Sequence, residues 1–138
     1  MMKKKMIAVG LVFLMLLTVL SACSGGSASD HKLDPAFNED TLKQEAEKVI
    51  DEWNNQDFDA MAAETADNVR DKLTADVLKD AWNQAMPKLG EFSSVKQTEI
   101  APNGKSALVV AVTEYENGQA QFTIGFDQNM KIDNFFIK

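Results

Sequence analysis

Cysteine, histidine and proline are scarce in this chain of 138 residues. It contains one Cys, one His and three Pro. A single Cys excludes a disulfide within the chain, so we expect the hydrophobic core to stabilise the fold. A single His leaves no second imidazole to share a metal ion, and we interpret His31 as a solvated residue of a linker. This scarcity argues against a disulfide scaffold and against a His-based metal centre.

Positive charge is also in short supply. The chain has 14 basic and 21 acidic residues and a formal charge of −7. Three of the basic residues, Lys3, Lys4 and Lys5, lie near the N-terminus, and the part from residue 23 onward carries a formal charge of −10. Such a surface repels phosphates, so nucleic acid is not an expected partner. A basic ligand or partner remains open, and the other interpretation is a solvated extracellular surface.

The first 23 residues follow the order of a secretory signal. Lysines come first, an apolar run covers residues 7–20, and the small residues Ser21 and Ala22 precede Cys23. The apolar run is shorter than the roughly 20 residues that a transmembrane helix needs. The pattern therefore predicts a signal peptide over residues 1–22 that is absent from the mature protein. An ordinary cleaved signal would release a soluble domain.

The segment Leu20-Ser21-Ala22-Cys23 resembles the lipobox of bacterial lipoproteins. The resemblance implies cleavage between Ala22 and Cys23, diacylglycerol on the Cys23 thiol, and a further acyl chain such as palmitate on the new amino terminus. Two or more acyl chains hold a protein stably on a bilayer, whereas one binds marginally. We therefore expect a lipid anchor in the cell membrane, a flexible tether over residues 23–37, and an extracytoplasmic domain.

Residues 38–138 are predicted to form one α+β domain. Apolar residues at three- and four-residue spacing predict helices over residues 39–56, 58–65 and 74–87. The turn signals Asn103-Gly104 and Asn117-Gly118 separate segments with the pattern of strands. These strands are predicted at about residues 91–100, 106–115, 119–126 and 131–137. The expected architecture is three helices on one face of a four-stranded antiparallel meander.

This order resembles the nuclear transport factor 2-like cone, a cystatin-like arrangement in which a curved sheet wraps the N-terminal helices. More narrowly, Trp82 and the segments at residues 73–78, 89–92, 126–127 and 132–137 are similar to domain-of-unknown-function family 3887, over about residues 40–138. The family implies no activity. The cone implies an opening between helices and sheet, and it implies dimers that form through the sheet.

Two groups of apolar residues are candidates for function. Trp53, Trp82, Tyr115 and Phe122 are expected to line a ligand cavity, although large aromatic residues at such positions also form cores. The consecutive residues Phe135, Phe136 and Ile137 cannot all face the helices, so we expect this strand to form a homodimer contact. No catalytic residue or cofactor is assigned, because no group of residues has the pattern of a nucleophile, a base and an orienting group. No metal is assigned, since the segment at residues 127–133 lacks the Gly and Glu of a calcium loop.

Two functions fit these features. The expected one is a non-catalytic binding module for a small apolar ligand, an envelope protein or a second copy. The alternative is a small cone-type isomerase, dehydratase or hydrolase. It would need an inward carboxylate with a raised pKa beside Tyr115.

Overall fold

This computed structural model describes residues 32–138 of the chain. The predicted signal peptide, the cleavage site at Ala22, the lipidated Cys23 and His31 lie outside the described residues. Residues 33–138 form one compact unit. In this part of the chain, no helix combines the length and the apolar character that crossing a membrane would require.

The N-terminal half of the described chain is helical. Its elements are α1 (Glu39–Asn54), α2 (Phe58–Ala63), a short 3₁₀ helix (Asp67–Val69) and α3 (Ala75–Ala85). Each α-helix begins after a side chain that accepts a hydrogen bond from a backbone N–H of its first turn. These caps are Asn38, Asp57 and Thr74. Because the first N–H groups of a helix have no partner inside it, such caps define where each helix starts.

The C-terminal half is a meander of four antiparallel strands. They are β1 (Phe92–Asn103), β2 (Ser106–Tyr115), β3 (Gly118–Phe126) and β4 (Ile132–Ile137), in the spatial order β1-β2-β3-β4. Gly104 has a φ of +63° in the turn between β1 and β2, a backbone conformation that favours glycine. The α+β class with a four-stranded antiparallel sheet, expected from the sequence, is confirmed.

The core lies between α1 and the sheet. The buried residues of α1 recur at helical spacing and are Leu42, Ala46, Val49, Ile50 and Trp53. The Trp53 ring lies edge-on to Phe58 of α2 and Phe122 of β3, with centroid distances of 6.0 and 6.2 Å. It also lies 5.1 Å from the ring of Phe135 in β4. One side chain of α1 therefore joins the helices to two strands.

The β1–β2 pairing contains two irregularities. Near the turn, the register is regular and pairs Asn103 with Ser106 and Gln97 with Val112. Register shifts between Val95 and Gln97 and between Phe92 and Ser94 each add a residue to β1. Since a bulge places two residues of one strand opposite one of the other, Phe92 comes to pair with Tyr115 at the far end of the hairpin.

Strand β4 is held by contacts on both of its sides. The Ser106 hydroxyl of β2 donates to Asp133 Oδ2 at 2.5 Å and so bridges β2 and β4 across β3. The bridge passes Gly125, where an added Cβ would overlap the Asp133 carboxylate and lie 2.8 Å from Asn134 Cβ. On the outer side, Ile132 N–H donates to the Glu64 carbonyl, and Ala66 N–H donates to the Ile132 carbonyl, both at 2.8 Å.

Candidate functional site

An open pocket of about 420 Å³ lies where the end of α1, the end of α3, the start of β1 and the end of β2 meet. We call it the Trp82–Tyr115 pocket. Its volume falls within the range of roughly 300–1,000 Å³ that small-molecule sites occupy. The lining residues are Asp51, Asn54, Asn55, Trp82, Met86, Gly90, Glu91, Phe92 and Tyr115.

The turn after α3 brings residues of β1 to this pocket. Helix α3 ends at Ala85, and Pro87, which has no backbone N–H to continue it, follows two residues later. Gly90 then adopts a φ of +77°, and a Cβ there would lie 3.0 Å from Glu116 Cβ. The close approach and the left-handed backbone both favour glycine. Directly after this turn, Glu91 and Phe92 line the pocket.

Tyr115 is fixed in the pocket wall by its hydroxyl and by its ring. The hydroxyl donates to Asn54 Oδ1 at 2.7 Å, and the ring lies 5.5 Å from that of Phe92 at an interplanar angle of 70°. Burial raises the pKa of Tyr115, although hydrogen bonds with Thr113 and Asn54 oppose that effect. Because an unperturbed phenol titrates near pH 10 and burial raises the pKa of this one, Tyr115 is a neutral hydrogen-bond donor at neutral pH.

The ionisable groups of the pocket, apart from this phenol, are acidic. Asp51 comes from α1 and Glu91 from the segment before β1, and neither Lys nor Arg is among the lining residues. Two polar atoms of lining residues, Asn54 Nδ2 and Trp82 Nε1, are buried and have no hydrogen-bond partner within residues 32–138. A buried donor without a partner costs about 1–3 kcal/mol of stability. The pocket wall is therefore not optimised for stability alone.

A second open pocket, of about 390 Å³, lies along the polar face of α1. We call it the Glu52 pocket. Its lining residues are Gln44, Glu47, Lys48, Asp51, Glu52, Asn55 and Asp57. Asp51 and Asn55 belong to both pockets. The two pockets therefore flank the last turns of α1.

Glu52 is the carboxyl group with a strongly perturbed pKa in this part of the chain. Its side chain is 13% exposed. Burial, followed by the neighbouring Glu64 carboxylate, raises the pKa of Glu52 to about 7, against the opposing charge of Lys48. The Lys48 ammonium donates to Glu64, and that hydrogen bond raises the pKa of Lys48. Glu52 and Tyr115 lie in different pockets, so this carboxyl group does not stand beside the phenol.

The structure divides the four aromatic residues that were expected to line a cavity. Trp82 and Tyr115 line the same pocket, whereas Trp53 and Phe122 are fully buried and contact each other in the core. The gap near them, lined by Met61, Leu78 and Phe135 among others, is too small for a water molecule. The open space therefore lies at the end of the helical layer and not around Trp53.

Sequence reasoning missed four residues of the Trp82–Tyr115 pocket that shape its chemistry: Asp51, Asn54, Glu91 and Phe92. Gly90 lies directly before Glu91 and Phe92, and its position was the available signal for those two residues. The bulges of β1 hid the pairing of Phe92 with Tyr115, because a regular register would pair Tyr115 with a residue later than Phe92.

The three residues that were expected to form a dimer contact face different ways. Phe135 and Ile137 are partly buried and pack on the core, while Phe136 is 56% exposed. Phe136 pairs with Thr123, which pairs with Val110 on the outer face of the sheet. Leu108 and Val112 flank Val110 on that face and are only partly buried. We call the residues on this face the outer sheet patch: Phe136, Thr123, Val110, Leu108 and Val112.

Metal chemistry has no candidate among the described residues. Within residues 32–138, no group of three or more His, Cys, Asp or Glu side chains is placed to hold a metal ion.

Comparisons with known proteins give this chain a family and a similar fold. A protein-family model described as "Protein of unknown function (DUF3887)" matches residues 46–135, which confirms the family expected from the sequence. An NMR structure of a protein from Ruminococcus gnavus ATCC 29149 has a TM-score of 0.66 and 20% identity, and the match covers 76% of this chain and 95% of that one. At this identity, the similarity concerns the fold alone. No curated protein matches the chain.

Proposed function

Since the chain belongs to this family of unknown function, we propose a function from its own geometry: a lipid-anchored extracytoplasmic module that binds a small molecule in the Trp82–Tyr115 pocket. The observation that carries the proposal is the pocket itself. Three aromatic side chains, one of them the hydrogen-bonded phenol of Tyr115, and two carboxylates line about 420 Å³ of open space. Mostly apolar walls with a few polar groups are typical of small-molecule sites.

We further propose that the domain is a nuclear transport factor 2-like cone. The order of three helices followed by a four-stranded meander supports this, as does the packing of Trp53 from α1 against β3 and β4. In this arrangement the interior is filled by aromatic side chains. The ligand site is therefore the open end beside α3, and not a deep cavity inside the cone.

Ligand binding is tested with the protein as its own cells make it. Full-length protein purified gently from membranes is examined by native mass spectrometry, beside the variant Trp82→Ala and the matched control Val77→Ala, which lies on the same helix outside the pocket. We expect a small molecule to remain with the unchanged protein and the control, and to be lost from Trp82→Ala. Recovery without a bound molecule, or with one that Trp82→Ala retains, contradicts the proposal.

The anchor proposal rests on the Leu20-Ser21-Ala22-Cys23 segment. Replacement of Cys23 with Ala removes the thiol that would carry the lipid, so the domain is expected in the soluble fraction or as an unprocessed precursor. Ser27→Ala, which leaves this segment intact, is the control. Fractionation and intact-mass measurement report both outcomes. Mature, membrane-bound Cys23→Ala protein would contradict lipidation at this residue.

The enzyme alternative has weaker support. It requires a carboxyl group with a raised pKa beside Tyr115. The carboxyl group with a pKa of about 7 is Glu52, and it lines the other pocket. Asp51 shares the pocket with Tyr115, and an Asp–Tyr pair is the form that such an enzyme would take. We prefer the binding module because Glu52, the carboxyl group with the raised pKa, and Tyr115 line different pockets.

A homodimer through the outer sheet patch is the partner that we propose in addition to the membrane. Phe136 is 56% exposed, although it is a large apolar side chain within the edge strand β4. Val110 and Leu108 continue the apolar surface across the sheet. Contact with the same surface of a second copy would remove these side chains from water, as in two-fold symmetric dimers.

A further inference from the structure

We propose that the Trp82–Tyr115 pocket selects an organic cation: an alkylated or quaternary ammonium group on a compact apolar body. The inference rests on the proposed function, since it names the chemical class of ligand for that same pocket. It follows from three properties of the pocket: the negative charge of its lining, its aromatic side chains, and the excess of acidic residues around it.

The charges of the lining are of one sign. Asp51 and Glu91 are carboxylates, and no lining residue is Lys or Arg. A carboxylate or phosphate ligand would meet two like charges and no counter-ion, which costs several times the thermal energy at short range. A neutral ligand gains from them only through a donated hydrogen bond, without attraction between opposite charges. A cation gains from both.

The walls of the pocket are those that hold a weakly hydrated cation. Trp82, Phe92 and Tyr115 line it on three elements, and a cation within about 6 Å of an aromatic ring centroid is attracted to the ring face, most strongly for Trp. Met86 adds a polarizable thioether. An alkylated ammonium group loses little hydration on entering such walls, whereas a metal ion would need oxygen ligands.

The surroundings of the pocket concentrate cations. Residues 38–90 contain 13 acidic and 6 basic side chains. The Glu52 pocket, which shares Asp51 with the Trp82–Tyr115 pocket, adds the carboxyl groups of Glu47 and Asp57 against one cation, Lys48. Glu52 lines it too, but its pKa of about 7 leaves it only partly charged at neutral pH. Clefts lined by one sign of charge raise the local concentration of the opposite ion.

The unpaired donors do not favour an anion. Asn54 Nδ2 and Trp82 Nε1 are buried, so they lie behind the pocket surface and are not offered to a ligand. Among the lining residues, Asp51 and Glu91 are exposed and Trp82 and Phe92 are partly buried, whereas Tyr115 is 4% exposed.

The test compares two probes of the same shape that differ in charge. Choline and 3,3-dimethyl-1-butanol are titrated separately into the full-length protein in a non-ionic detergent, and affinities are measured by isothermal titration calorimetry. We expect choline to bind about tenfold more tightly than the neutral alcohol, and added salt to weaken only choline. Asp51→Asn and Glu91→Gln are each expected to lower choline affinity severalfold, while Asp71→Asn, an exposed acid outside the pocket, leaves it unchanged.

The outcomes separate this inference from the function on which it rests. Equal affinity for the two probes, tighter binding of the alcohol, or choline binding that Asp51→Asn and Glu91→Gln leave intact overturns selection by charge. The pocket then remains a binding site if Trp82→Ala abolishes binding of either probe. Failure of both probes also overturns the inference, while a neutral or acidic molecule that co-purifies and is lost from Trp82→Ala upholds the binding function.

Discussion

The helical layer and the sheet differ in their charge and in the hydrogen bonding of their buried polar side chains. Residues 38–90 contain 13 acidic and 6 basic side chains, whereas residues 91–138 contain 6 and 4. The buried side-chain atoms without a hydrogen-bond partner in the described part of the chain all belong to α1 and α3, on Glu52, Trp53, Asn54 and Trp82. In the sheet, by contrast, the buried Thr113 hydroxyl donates to the Ala120 carbonyl at 2.9 Å.

The difference indicates which half is the scaffold and which carries the function. Strand pairing satisfies the backbone of the sheet, and its inner face is apolar along β2 and β3. The helices instead hold buried polar atoms and like charges that lower stability. Features that cost stability and gather at open pockets are candidates for function. This assignment of roles predicts how substitutions in each half change stability or assembly, and the greatest loss of stability is expected in the core.

Trp53 is the side chain at which the two halves depend on each other. Trp53→Ala leaves a cavity between α1, α2, β3 and β4, so we expect a loss of about 3–5 kcal/mol in the free energy of unfolding. Urea unfolding followed by circular dichroism measures it. Trp82→Ala, which removes a partly exposed ring, is the control and should cost less. If Trp82→Ala cost more, the halves would be joined at the pocket and the division would fail.

Glu52 makes the stability of the helical layer depend on pH. Its pKa is raised from 4.5 to about 7. Between these values the unfolded chain releases a proton that the folded chain keeps, so stability falls as pH rises through this window. The loss is complete above about pH 7 and reaches about 3 kcal/mol.

Glu52→Gln removes this titration. The variant should therefore be more stable than the unchanged protein by about 1–3 kcal/mol at pH 8, and the gain should shrink towards pH 4.5. Urea unfolding at several pH values reports it, with Asp80→Asn, an exposed acid of α3, as the control. A pH profile that Glu52→Gln leaves unchanged would show that another group sets it.

Phe136 tests the sheet as an interface. Because its side chain is 56% exposed, Phe136→Ser should change the stability of a single copy by no more than about 0.5 kcal/mol. It should, however, convert a dimer into monomers in light scattering. Val77→Ser replaces the other large exposed apolar side chain, at 46% exposure on α3, and should leave the dimer intact. A chain that is monomeric before any substitution refutes the dimer.

The strands and helix starts were predictable because they depend on local chemistry. Two Asn-Gly turns set the ends of the strands, and the Asn38 and Thr74 side chains cap the helices that follow them. These signals lie within a few residues of the structure they define. The spacing of apolar residues in α1 likewise predicted its buried face.

The candidate site was less predictable because it depends on distant contacts. The bulges of β1 that bring Phe92 to Tyr115 leave no simple pattern in the strand. Glu52 looked like one more acid on a solvated helix face, and only the fold brings Glu64, at the end of α2, against it. Nor does helical spacing distinguish the buried Trp53 from Trp82 at the pocket.

The close approach of Gly125 to Asp133 limits which substitutions this part of the sheet can accept during evolution. The Ser106–Asp133 hydrogen bond exists because residue 125 has no side chain. A side chain at residue 125 would meet both the Asp133 carboxylate and Asn134 Cβ, so it requires changes at residue 133 and around residue 134. If Asp133 is replaced, Ser106 loses its hydrogen-bond partner. We therefore expect substitutions at residues 106, 125 and 133 to occur together. Among descendants, Gly at 125 should accompany Asp at 133. Covariation between these positions would locate the register shift at which β4 has one extra residue, Asp133, opposite β3.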